Sequence, residues 1–160
     1  MNRESDGGIL ARAFQDAIVT TISQLSGSAP KVEPAPDLIT DGVLGHIHIV
    51  GGWTGTITAH CSAGAISFLE SQMEFLLIDR VKDKNLAVVE ILLETVGNAF
   101  MHKFTIKSAV SNPKAHTWSL AKQARIKELK EMWKFSCSLP SGVFSFSLAQ
   151  GASPLSLDDL

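Results

Sequence analysis

The chain has 160 residues, of which 45% are hydrophobic and 19% charged, and its formal net charge is −2. That size and balance fit one domain able to bury its own core, with no need for disulfides or a structural metal to hold it. A slightly acidic chain has no summed positive field to concentrate nucleic acid or anionic lipid, so neither is expected as a partner.

Residues 1–8 are polar and acidic, and the apolar stretch after them is interrupted by Arg12, Gln15 and Asp16. This is not the pattern of a signal peptide, and no window reaches the roughly 18 uninterrupted apolar residues of a membrane span. A cytoplasmic location is expected, with Cys61 and Cys137 kept as thiols in the core.

Residues 9–25 place Ile9, Leu10, Ala13, Ala17, Ile18, Thr21, Ile22 and Leu25 near one stripe at helical spacing. The predicted helix starts at Asp6 as its cap and stops at Gly27. Residues 26–37 carry three prolines and read as a connector with an edge strand near Val32.

From Gly42 to Cys61 the period becomes two, which predicts a β-hairpin. A two-residue Gly51-Gly52 turn would mix apolar and polar residues on both faces, whereas including Trp53 in the loop separates them. Val43, Ile47, Ile49, Ile57 and Ala59 then share a core face, and His46, His48, Thr54, Thr56 and Thr58 share the other.

Ser62 is placed to cap a second helix over 63–77, and a third is predicted over 84–104 after the charged run 79–85. Residues 107–113 read as loop or a short strand, and 118–132 as a further helix. Residues 133–139 and 143–148 alternate around Pro140-Ser141-Gly142 and predict a closing hairpin. The chain is thus expected to be one α+β domain over 1–150, with a disordered tail over 151–160.

On the third helix, Val88, Leu92, Val96 and Ala99 form the buried stripe, flanked by Val89, Phe100 and, near its edge, Leu93. The opposite strip is Glu90, Glu94 and Asn98 at i, i+4 and i+8, with Gly97 and Met101 beside it. Glycine inside a helix costs about 0.5–1 kcal/mol relative to alanine, so Gly97 suggests close approach of another surface. Two such carboxylates are ordinary on a solvated face; the sharper reading makes them an acidic binding strip.

The order of elements resembles the CheC/CheX/FliY group of chemotaxis proteins, in its single-motif CheX-like branch. A Gly-rich hairpin turn at residues 51–55 is followed by the helix from Ser62 and then by Glu90-Ile-Leu-Leu93-Glu94-Thr-Val-Gly97-Asn98, similar to the family's Glu-x-x-Asn-x-x-x-Gly-Asn. The resemblance covers residues 10–104 and the last hairpin. It implies long helices packed on an antiparallel sheet, often dimeric, with an exposed helix that docks a phosphorylated CheY-like response regulator.

In the family the motif glutamate engages the regulator's lysine and the asparagine amide orients the hydrolytic water. Glu90 matches the first, but Leu93 stands at the asparagine position and has neither donor nor acceptor. The resemblance thus implies a partner-binding strip of Glu90, Leu93, Glu94, Gly97, Asn98 and Met101 whose hydrolytic activity is in question. One alternative is an active phosphatase that uses Glu90 with Glu94 or Asn98 as its catalytic residues. Another is a homodimeric structural module with no catalysis and no regulator partner.

Other chemistries find less support. His46, His48 and His60 share one hairpin face, but His60 lies diagonal to His46 and no carboxylate accompanies them, so no metal is expected. No Gly-x-Ser-x-Gly elbow or phosphate-binding glycine loop is present, and no cofactor is expected. The basic stretch 122–134 is interleaved with Glu128 and Glu131, as on a solvated helix face.

Overall fold

Among the described residues, alternation of apolar and polar residues builds the strands into one antiparallel sheet, and three helices pack on its apolar face. In the computed structural model, residues 3–27, 31–34, 42–51, 54–73, 84–104, 108–110, 113–117, 131–139 and 142–150 are described. The elements are α1 (Arg3–Ser26), β1 (Lys31–Pro34), β2 (Val43–Gly51), β3 (Gly55–Cys61), α2 (Ala63–Gln72), α3 (Lys84–Phe104), β4 (Ser108–Val110), β5 (Lys114–Thr117), β6 (Glu131–Leu139) and β7 (Gly142–Gln150). The seven-stranded sheet runs β1-β6-β7-β3-β2-β4, with β5 also paired to β2.

The first hairpin has the register that face separation requires, with Ile47 opposite Ile57, His46 opposite Thr58 and His48 opposite Thr56. The closing hairpin pairs Leu139 with Gly142, and β3 joins β7 through Ala59 and Phe146. The predicted edge strand is β1, pairing Val32 with Cys137.

Several elements differ from the sequence expectation. Helix α1 begins at Arg3, so Asp6 lies inside it rather than capping it; no proline or glycine between Arg3 and Asp6 stops the first turn earlier. Gly27 ends it as expected, at φ 75° with its N–H donating to the Ser23 carbonyl at 2.9 Å. Strand β5 was not anticipated, and β6 starts at Glu131, inside the span read as a helix. The second helix, expected over 63–77, ends at Gln72 with Met73 as its C-cap; the remainder of the predicted 118–132 helix, residues 74–77 and the 151–160 tail lie outside the described residues.

On α1 the buried stripe includes Phe14, and Ile9 is turned out with 54% exposure. The Phe14 ring sits 6.0 Å from Phe100 of α3 in an edge-on contact and 5.9 Å from Phe135 of β6. One side chain thereby ties α1 to both its neighbouring helix and the sheet, each aromatic pair adding about 0.5–1.5 kcal/mol beyond area burial.

Ser62 fixes α2. Its Oγ accepts from the Ala65 N–H at 3.3 Å as the N-cap and from the Val143 N–H at 3.0 Å, while its own N–H donates to the Val143 carbonyl. Both cysteines are buried, and Phe144 of β7 stands opposite Cys61 on one side and Cys137 on the other. With a strand between them their Cα atoms are about 9–10 Å apart, too far for a disulfide. Burial raises the Cys61 thiol, with Cys137 adding to it, and pushes Cys137 up to about 12.

Candidate functional site

Helix α3 lies over the middle of β2, and Gly45 explains how closely. A Cβ at Gly45 would fall 2.6 Å from Leu93 Cδ1 and 2.8 Å from Val89 Cγ1, so the bare glycine lets the helix sit this close without those side chains shifting. Val89 and Leu93 consequently point into the sheet, both with 0% exposure. Continuing round the helix, Val88, Leu92, Val96, Gly97 and Phe100 are also buried. From Val88 to Phe100 the buried arc is therefore about half the circumference at 100° per residue, while Ala87, two turns before Glu94 and nearly in line with it, is buried as well.

This placement corrects two of the predicted partner-binding residues. Leu93 belongs to the core through its contact with Gly45, and Gly97 is buried as well, so neither lies on an open strip. The remaining four do face outward to different degrees: Glu94 and Asn98 are exposed, and Glu90 and Met101 are half-buried at one border. His102 is exposed one turn beyond Asn98, with Ile91 and Thr95 half-buried at the opposite border. The open line thus runs Glu94, Asn98, His102. The i, i+4, i+8 spacing that selected Glu90, Glu94 and Asn98 extends by one more step to His102, a signal present in the sequence and not taken up.

Asn98 is anchored. Its Nδ2 donates to the Glu94 carbonyl at 2.9 Å, and Thr95 Oγ1 donates to the Ile91 carbonyl at 2.8 Å. The strip accordingly offers one exposed carboxylate and one amide that has committed one of its two N–H donors. Helix α3 also has α1 as its neighbour, so the outer faces of both helices look away from the sheet.

The second polar group, on the sheet face away from the helices, is more enclosed than a solvated hairpin face. His46, Thr56, Thr58, His60, Ser136, Ser145 and Ser147 are all buried there. His48 Nδ1 lies 3.1 Å from Thr56 Oγ1, and the His46 ring lies 5.0 Å from His48 and 6.2 Å from His116. His116 joins because β5 pairs with β2, a strand that sequence reasoning did not find. Among the described residues, no group of three or more His, Cys, Asp or Glu side chains is placed to hold a metal ion.

No helix among the described residues is long and apolar enough to cross a membrane. No protein-family model matches the chain, and no curated protein matches it in sequence. Solved structures do match in three dimensions. A CheX in complex with CheY, BeF3 and Mg2+ from Borrelia burgdorferi superposes with TM-score 0.70 at 17% identity, covering 87% of this chain and 96% of that one. The chemotaxis protein CheX of Desulfovibrio desulfuricans gives 0.63 at 13% identity, covering 89% and 99%. FliY of Thermotoga maritima gives 0.59 at 14% identity, covering 93% and 91%. With near-complete coverage on both sides, the chain has the α+β fold of the CheX, CheC-like and FliY chemotaxis proteins.

Proposed function

We propose that this protein is a cytoplasmic CheX-like signalling protein that docks a CheY-like response regulator through the outer face of α3, without hydrolysing its aspartyl phosphate. The observation that carries the reading is the division of that helix: Glu94 and Asn98 exposed, and Leu93 fully buried against Gly45. Docking needs an open, anchored polar strip, which Glu94 and Asn98 supply with Glu90 and Met101 at its border. Hydrolysis needs a water held in line with the phosphorus, and an apolar side chain turned into the core holds none. A CheX of the same fold in complex with CheY supports this class of partner.

A second reading is favoured by one contact. The bond from Asn98 Nδ2 to the Glu94 carbonyl fixes an exposed amide one turn from an exposed carboxylate. In that reading water attacks phosphorus, the P–O bond to the aspartate breaks, the carboxylate is regenerated, and the water proton leaves with inorganic phosphate. Phosphate release from a phosphorylated regulator, measured alongside binding, separates the two. Binding with no acceleration supports docking alone. Acceleration that Asn98→Ala or Glu94→Gln abolishes establishes the phosphatase and refutes the first reading.

The proposal includes a homodimer. Among the described residues β1 pairs on one side only, with β6, so the sheet ends in a strand edge that a second copy can meet. Sedimentation of the full chain at monomer mass across the micromolar range would remove this part.

A further inference from the structure

We propose that His102, at the far end of the open line on α3, donates a hydrogen bond to the phosphoryl group of the docked regulator, so that the strip tells the phosphorylated partner from the unphosphorylated one; this rests on the docking reading above. Glu94, Asn98 and His102 are exposed on a single helix, which fixes their spacing. Each step of four residues rises about 6 Å and turns about 40°, so Glu94 and His102 flank Asn98 with Cβ atoms about 5–6 Å from its own.

The three side chains differ in what they offer. A carboxylate such as Glu94 accepts and does not donate, which suits the regulator's lysine. Asn98 has given one N–H to the Glu94 carbonyl at 2.9 Å and keeps the other. An imidazole carries at least one N–H, and His102 is the only basic residue from Glu90 to His102. The open line therefore changes character along its length, from an acceptor at Glu94 to donors at Asn98 and His102.

Direction along the helix brings those donors together. The Cα–Cβ bonds of an α-helix tilt toward its N-terminus, so each side chain covers the turn before its own. Asn98 reaches back to the Glu94 carbonyl in this way, and His102 leans over the turn that carries Asn98. Complementarity then sets the register of the complex: the acceptor end meets a cation on the regulator and the donor end meets its phosphoryl group. With the lysine at Glu94, the anion falls on the next turns, beside Asn98 and His102.

The test is the affinity of the full chain for a CheY-like response regulator of the same organism in Mg2+, with and without BeF3 standing in for the phosphoryl group. The wild-type chain should prefer the BeF3-charged form. His102→Ala should lower affinity for that form about 3- to 10-fold and leave affinity for the uncharged form within about 2-fold. His102→Glu, which sets a carboxylate against the phosphoryl group, should lower it further. Position 102 is exposed, so both variants should keep the wild-type unfolding midpoint. A His102→Ala protein with the wild-type ratio of affinities, or one weakened equally toward both forms, overturns the role of His102 and leaves docking intact if Asn98→Trp still weakens binding. Equal affinity of the wild-type chain for the two forms also overturns that role, and no binding to either form overturns the docking reading with it.

Discussion

Replacing Leu93 with asparagine restores the residue that the CheX-like motif has at this position, and the structure says that it fails. The Leu93 side chain has 0% exposure and lies against the bare backbone of Gly45. Removing it forfeits about 1.5–3 kcal/mol of apolar burial, and the amide that takes its place loses about 1–3 kcal/mol of hydration without a partner. The sum, about 2.5–6 kcal/mol, is a large part of the 5–15 kcal/mol typical of a domain. Urea unfolding should show the midpoint falling with little change in slope. Leu93→Met, which conserves volume, should cost under about 1.5 kcal/mol. Phosphate release by Leu93→Asn should stay at background. A variant as stable as wild type that accelerates release would mean that position 93 reaches water, and the division of α3 into core and docking sides would be wrong.

Other consequences are independent of the partner. Ser62→Ala removes the acceptor for the Ala65 and Val143 N–H groups and should destabilise by about 1–2 kcal/mol in urea unfolding. Gly45→Ala forces a Cβ to 2.6 Å from Leu93 Cδ1 and should cost about 1–3 kcal/mol, with part of the cost relieved when Leu93 is also shortened to alanine, as a double-mutant cycle would show. The thiol of Cys137 ionises at about 12 in the folded chain against an ordinary 9.0, so the unfolded chain gives up its proton first. Stability is unaffected by this group below pH 9.0 and falls between 9.0 and about 12, steepening an alkaline unfolding curve that Cys137→Ser should flatten.

Why some of this could be read from the residues and some could not has a physical basis. The β2–β3 register followed from requiring one apolar and one polar face, a constraint that a one-residue slip violates everywhere at once. Helix α3 was found at its observed bounds because its apolar residues keep a 3.6 period for 21 residues. Strand β5 has four residues, Lys114–Thr117, too few for any period to show. The width of the buried arc on α3 was also hidden, since it depends on Gly45, a residue 48 positions before Leu93, leaving room for the helix to sink onto the sheet. Gly97 was placed beside the open strip for that reason, whereas Leu93, read at the edge of the buried stripe, was put on the partner's side by its position in the motif. Composition also gave no sign that the histidine face of the sheet is enclosed, because His46, Thr56 and Thr58 alternate as residues of a solvated face do.

The docking claim is tested most directly by adding bulk at the centre of the open strip. Asn98 is exposed, so Asn98→Trp should leave the unfolding midpoint within about 0.5 kcal/mol of wild type. Titrated with a Mg2+- and BeF3-charged CheY-like regulator, the wild-type chain should bind and the variant should bind at least about 10-fold more weakly, a difference of about 1.4 kcal/mol. Equal affinity for the two proteins, or no binding by either, would contradict it.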